Sequence, residues 1–206
     1  MSKGSNFYSF EKISKRIYDS NLEEYEKKCL EETYEYINCK NSRSYFAKNY
    51  VFKNTLSRMQ MSALEGNSTF GENLCVGSKR RSYRTSTMLT RAMHSYLFSE
   101  NLNILYVAPN SVLSAYIACE FRKIYDELPG FLKPGLDIHR GDRMVSKSGN
   151  KIRFCGPQSV LEMRGQNFDL LLVDELSRRS SESSALATQT LMNTTENVLY
   201  SIDLLS

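Results

Sequence analysis

Asp174 and Glu175 close the run Asp169-Leu170-Leu171-Leu172-Val173-Asp174-Glu175, and two adjacent carboxylates delivered by an apolar strand suit one kind of chemistry well. The first can hold the water shell of a Mg²⁺ ion, and the second can orient and deprotonate a water that attacks a phosphoryl group. Any buried strand can also end in acids, so the pattern does not decide the matter alone. A second stretch belongs beside it. Ser78-Lys79-Arg80-Arg81-Ser82-Tyr83-Arg84-Thr85-Ser86-Thr87 separates the short apolar Asn73-Leu74-Cys75-Val76 from the helix-like Met88 to Phe98. Strand, loop, helix is the setting of a phosphate-binding loop, yet the glycine and lysine that such a loop needs are missing. From Val76 to Ser99 five cations (Lys79, Arg80, Arg81, Arg84, Arg91) meet no carboxylate. That field suits phosphate oxygens and is equally compatible with a solvated basic loop.

The elements that must position these residues are legible in outline. Leu102 to Ala108 is a continuous apolar run ending in Pro109-Asn110-Ser111, which reads as a buried strand followed by a helix cap, with a helix from Val112 to Leu128. Arg143 to Val145 and Ile152 to Cys155 flank Ser148-Gly149-Asn150 as a hairpin, and Phe168 to Val173 is a second buried strand. Strands alternating with helices imply a mainly parallel sheet covered on both faces, with ligands at the carboxyl ends of strands. Phe10 to Ile37 carries Ile13, Ile17, Leu22, Tyr25, Leu30, Tyr34 and Ile37 at helical spacing. It predicts two amphipathic helices broken near Asp19-Ser20-Asn21, with Ser20 capping the second and the apolar stripe packed on the core or on a partner.

Composition sets limits. The 206 residues, 41% hydrophobic and 24% charged, are ordinary for one globular core with an appended helical segment. No run is long enough to cross a bilayer, and the polar start lacks the apolar core of a secretory signal. Five scattered cysteines, none in a C-x-x-C spacing, indicate neither a disulfide framework nor a zinc site and favour a reducing cytoplasm. His94 and His139 stand far apart without a supporting cluster, and Gly156-Pro157-Gln158-Ser159 reads as a turn with a helix cap.

Several further pieces occur in a telling order: Tyr45-Phe46-Ala47-Lys48-Asn49-Tyr50-Val51, Gln60 before Ala63-Leu64, Tyr125-Asp126-Glu127-Leu128-Pro129, Leu132-Lys133-Pro134-Gly135, Gly149 to Ile152, and Met163-Arg164-Gly165-Gln166-Asn167-Phe168 ahead of the terminal Asp-Glu. Together with the two motifs above, the stretch from Tyr45 to about Tyr200 resembles the ATPase domain of viral terminase large subunits, the motors that pump DNA into phage heads. The resemblance implies an α/β phosphate-loop NTPase fold of the ASCE type, a central mainly parallel sheet flanked by helices, over residues 45–206, with residues 1–44 as an N-terminal helical segment. It implies ATP and Mg²⁺ as cofactors, double-stranded DNA as partner and the host cytoplasm as the place of work, without a membrane. A portal, a small terminase subunit, a separate nuclease chain and a homo-oligomeric ring are the further partners it implies.

Carried over residue by residue, Gln60 takes the place of the family's adenine-reading glutamine, and the loop is similar to the family's SRQ-x-GK followed by Ser or Thr. Arg80 then falls where the family places an arginine on the γ-phosphate, Arg81 lies in the cradle, and Thr85 keeps the hydroxyl that ligands Mg²⁺ beside Asp174. Tyr83 stands where the glycine belongs and Arg84 where the lysine belongs. A Cβ and a phenol ring fill a cradle that glycine leaves open, and the arginine fork demands a geometry that a lysine point charge does not. Arg164 resembles an arginine near the nucleotide or the neighbouring subunit, with a structural salt bridge as the other reading. Glu175 is the expected base. Asn197 to Ser201 fits the coupling strand, with Ser201 as its sensor, although Ile202-Asp203-Leu204-Leu205 departs from the usual continuation. With no nuclease motif in view, DNA cleavage is not expected. Two functions stay open: a packaging ATPase module impaired when alone, and a non-hydrolysing terminase-derived subunit that binds DNA or a partner.

Overall fold

The computed structural model describes residues 22–65, 74–78, 84–163, 165–175, 182–195 and 197–203. Its strands are β1 (Leu74–Ser78), β2 (Asn103–Val107), β3 (Leu136–Arg140), β4 (Arg143–Ser146), β5 (Lys151–Cys155), β6 (Leu170–Val173) and β7 (Asn197–Asp203). Its helices are α1 (Glu24–Asn41), α2 (Arg43–Phe46), α3 (Arg58–Glu65), α4 (Arg84–Phe98), α5 (Ser111–Glu127) and α6 (Glu182–Thr194). The strands form one sheet in the order β1-β7-β6-β2-β5-β4-β3. The first five of that order are parallel, and β5-β4-β3 continue as an antiparallel meander.

The apolar runs end up where continuous hydrophobicity belongs, in strands covered on both faces. Ile104, Tyr106 and Leu172 face the layer of α4 and α5, in a core with Met88, Ala92, Ile117 and Phe121. Leu105, Val107, Leu171 and Val173 face the other way, toward Ala187 and Leu191 of α6. This alternation follows from the period of two along a strand. At the head of α5 the Asn110 side chain caps the helix by accepting from the Leu113 N–H at 2.8 Å, as its sequence predicts. The expected hairpin forms between β4 and β5, where Gly149 takes φ +82 in its turn.

The N-terminal region differs from its sequence reading. The second helix begins at Glu24, where the Glu23 N–H donates to Glu26 Oε2 at 3.0 Å, so its cap is local and acidic and is not Ser20. Ser20, with the first predicted helix, lies outside the described residues. The expected apolar stripe is also displaced, for Tyr25, Leu30 and Ile37 are exposed while Asn38 and Cys39 are buried. Tertiary contacts of the helix end decide this. Glu35 accepts from the hydroxyls of Tyr45 and Tyr50, each at 2.8 Å, and Tyr36 meets Phe98 edge-on at 5.4 Å.

Almost every residue of α4 from Thr87 to Leu97 is buried, because the helix lies between the sheet and α1 to α3. His94 sits at its centre, its Nε2–H donating to the Cys39 carbonyl at 2.9 Å and its ring 4.8 Å from Phe98. Burial is the main force that pushes its pKa down, to about 4. Between that value and the ordinary ~6.5 the unfolded chain binds the extra proton, so stability falls as pH falls through this window. Thermal melts from pH 7 to pH 4 are expected to lose on the order of 3 kcal/mol through this residue. A His94→Gln variant has a flatter pH profile over the same range. Parallel profiles for the two proteins would rule out His94 as the source.

Candidate functional site

Strand order brings the two sequence motifs together. β7 is inserted between β1 and β6, so the strand that precedes the basic loop and the strand that ends in acids are second neighbours, about 10 Å apart. The first turn of α4 spans that gap. Thr85 Oγ1 donates to Asp174 Oδ2 at 2.7 Å, joining residues 89 apart in sequence. Asp174 itself is held by the sheet, its N–H donating to the Val107 carbonyl at 2.9 Å one step past the end of β6. The residue is only 2% exposed. A carboxylate in that position is costly unless donors surround it.

A second donor comes from a residue that sequence reading missed. Tyr106 of β2 lies opposite Leu172, and Asp174 is two residues farther on the same face, within reach of a phenol that extends along the strand. Its hydroxyl donates to the same Oδ2 at 3.3 Å. Burial first, and then the charge of Asp174, raises its pKa well above the ordinary tyrosine range, so the phenol is a neutral donor at any working pH. A tyrosine inside the run Ile104-Leu105-Tyr106-Val107-Ala108 is the one signal that points to this, because a buried hydroxyl needs a partner.

Glu175 follows at once with φ +48, a left-handed backbone outside glycine. That conformation costs about 1–2 kcal/mol and turns the chain off the line of the strand. Ser201 is placed by register. Tyr200 pairs with Val173 and Ser201 with Val76, so Ser201 is the β7 residue level with Asp174.

The other expected residues divide. Arg80, Arg81, Tyr83 and Arg164 lie outside the described residues. Arg84 opens α4 and is 8% exposed. Arg91 is buried as well, its Nη1 donating to the Ala63 carbonyl at 2.9 Å, and burial pushes its pKa down to about 10. The basic stretch is therefore not one continuous solvent-facing field, since two of its five cations point inward. Gln60 caps α3: its Oε1 accepts from the Ser57 N–H at 2.9 Å, and its own N–H donates to Ser57 Oγ at 3.2 Å. A cavity of about 290 Å³ opens beside the head of α4, bordered by Thr85, Ser86, Phe52, Lys53 and Tyr116, and Gln60 does not line it. Lys53 crosses to Glu127 at 3.1 Å on its rim.

The oxygens that converge here fit Mg²⁺. A hydroxyl and a carboxylate are hard donors, and Mg²⁺ is usually held by one or two protein groups with water and phosphate completing its shell. Among the described residues no group of three His, Cys, Asp or Glu converges to cage a metal by protein alone.

No protein-family model and no curated relative matches the sequence. Solved structures do match in fold. The HK97 bacteriophage large terminase superposes with a TM-score of 0.61 at 12% identity, over 80% of this chain and 37% of its own. The Thermus phage P74-26 large terminase ATPase domain superposes at 0.55 and 12% identity, over 78% of this chain and 70% of its own. The large terminase of a thermophilic bacteriophage in complex with ATP-gamma-S superposes at 0.52 and 12% identity, over 72% and 38%. The chain thus spans well under half the length of the complete large terminases it superposes on. With its mainly parallel sheet in the order β1-β7-β6-β2-β5-β4-β3 flanked by helices, this chain shares the α/β fold of phage large-terminase ATPase domains.

Proposed function

We propose that this chain is the ATPase module of a viral DNA-packaging terminase large subunit, using ATP and Mg²⁺ to drive duplex DNA into a capsid in the host cytoplasm. The observation that carries the reading is the 2.7 Å contact of Thr85 with Asp174, which sets a hydroxyl and a carboxylate together at the carboxyl edge of the sheet, the donor pair a cation would need. A terminase of the same fold has been captured with ATP-gamma-S and another crystal of it with ADP, in line with nucleotide binding by this fold. Bound Mg²⁺ supplies charge stabilisation to the phosphates. Thr85 and Asp174 would hold it, Glu175 would take a proton from the attacking water, and Arg80 and Arg164 would meet charge developing on the phosphoryl oxygens. Arg81 and Arg84 attract the phosphates, and Gln60 would read the base only by releasing its contact with the Ser57 N–H. Duplex DNA, a portal, a small terminase subunit, a nuclease chain and neighbouring copies in a ring are the partners of such a module.

A specific feature favours a second reading, a non-hydrolysing subunit that keeps the fold for binding. Tyr83 replaces the loop glycine, and Arg84, at the place of the loop lysine, is buried rather than presented to solvent. Thermal melting with ligand tests both. With ATP–Mg²⁺ the unmodified chain is expected to shift little, and Tyr83→Gly/Arg84→Lys by about 5–10 °C at a hundredfold excess over Kd. Duplex DNA at low salt should stabilise both forms, with the shift vanishing as salt rises because phosphate contacts release counterions. A restored loop that responds to neither nucleotide nor DNA would end the packaging reading.

A further inference from the structure

We propose that Tyr106 is a positioning residue for the cation site, a neutral donor that pins Asp174 so that Asp174 in turn aligns the hydroxyl of Thr85. The inference rests on the nucleotide reading above and adds a residue outside both sequence motifs. Three facts on one oxygen carry it. Asp174 Oδ2 accepts from Thr85 Oγ1 at 2.7 Å and from the Tyr106 hydroxyl at 3.3 Å, and Tyr106 is fully buried while Asp174 is almost so.

The geometry has a direction. A hydroxyl that gives its proton to a carboxylate turns its lone pairs the opposite way, so Thr85 presents an acceptor outward only while Oδ2 stays where it is. Loss of that anchor lets the carboxylate rotate and the hydroxyl with it. Tyr106 supplies the anchor from a third element, β2, whose register with β6 fixes the distance. Its ring is clamped on the far side by Phe154, centroid to centroid 5.8 Å. The phenol is also the right kind of donor. A lysine or arginine there would offset the charge of Asp174 and weaken its hold on a cation, whereas a neutral hydroxyl orients the carboxylate and leaves its charge in place. At 3.3 Å the bond is long for O–H···O, and such contacts shorten when a ligand completes a site.

Tyr106→Phe keeps the ring and its packing and removes only the donor. In the full chain with its loop restored by Tyr83→Gly/Arg84→Lys, Mn²⁺ uptake in the presence of ADP, read from the electron paramagnetic resonance signal of free Mn²⁺, is expected to weaken about tenfold on Tyr106→Phe, while ADP affinity in EDTA does not change. In a Thr85→Val background the same substitution should have a clearly smaller effect, because part of what Tyr106 does runs through Asp174 to Thr85. A merely structural tyrosine would lower the melting temperature and leave the Mn²⁺ midpoint alone. Mn²⁺ uptake by the restored-loop chain with an unchanged midpoint on adding Tyr106→Phe overturns this inference and leaves the nucleotide reading standing. Additive losses in the double variant overturn it as well. No Mn²⁺ uptake by the restored-loop chain overturns both.

Discussion

Steady-state phosphate release is expected to appear when the loop is restored by Tyr83→Gly/Arg84→Lys, and to fall again by about 10²–10⁴ when Glu175→Gln is added. The restored glycine lets the backbone close on the phosphates, and lysine replaces a fork with a compact charge. Glutamine keeps the shape of Glu175 on its left-handed backbone but cannot accept a proton. Nucleotide binding should survive the change, because Thr85 and Asp174 are untouched. The assay compares the unmodified chain, the restored form and the restored form with Glu175→Gln, with and without duplex DNA. Turnover that persists in Glu175→Gln would mean that another group activates the water. A restored form that stays inert with DNA present would favour the binding subunit over the motor.

Asn150→Leu is expected to destabilise the fold by about 3–5 kcal/mol, one of the largest losses available to a single polar residue here. Asn150 is fully buried in the turn between β4 and β5. Its Oδ1 accepts from the Leu102 N–H at 2.8 Å, and its Nδ2 donates to the Tyr96 carbonyl at 2.9 Å and to the Ser99 carbonyl. The one side chain therefore satisfies the end of α4, the start of β2 and the hairpin. Leucine matches its size and leaves those backbone groups buried without partners. Denaturant unfolding measures the loss directly. A midpoint that moves by less than about 1 kcal/mol would show that water replaces the amide and that the latch is dispensable.

Asn150 also shows how a sequence reading stops short. Ser148-Gly149-Asn150 marks the turn unambiguously, because turn chemistry is local. That its amide reaches α4 is invisible, because the partners lie 54 and 51 residues away. The N-terminal helix fails for the same reason. Periodicity proposes the face with Tyr25, Leu30 and Ile37, but the hydroxyls of Tyr45 and Tyr50 fix Glu35, and the helix turns that stripe to solvent. The basic stretch from Val76 to Ser99 is countable in sequence. Which of its cations face water is not, and α4 buries Arg84 and Arg91.

The sequence by itself determined what short-range chemistry can encode. It set the unbroken apolar strands β2 and β6, the Asn110 cap, the hairpin, the two acids at a strand end and a loop whose glycine and lysine are replaced. Tertiary structure alone decided which of the described parts meet. The order β1-β7-β6-β2 does not follow the order of the chain, and pairing between strands far apart in sequence is set by how the whole sheet buries its faces. That order brings Thr85 to Asp174 across 89 residues and Tyr106 to the same oxygen across 68. A carboxylate taken out of water must collect its donors from whatever elements surround it, and no window along the sequence contains them.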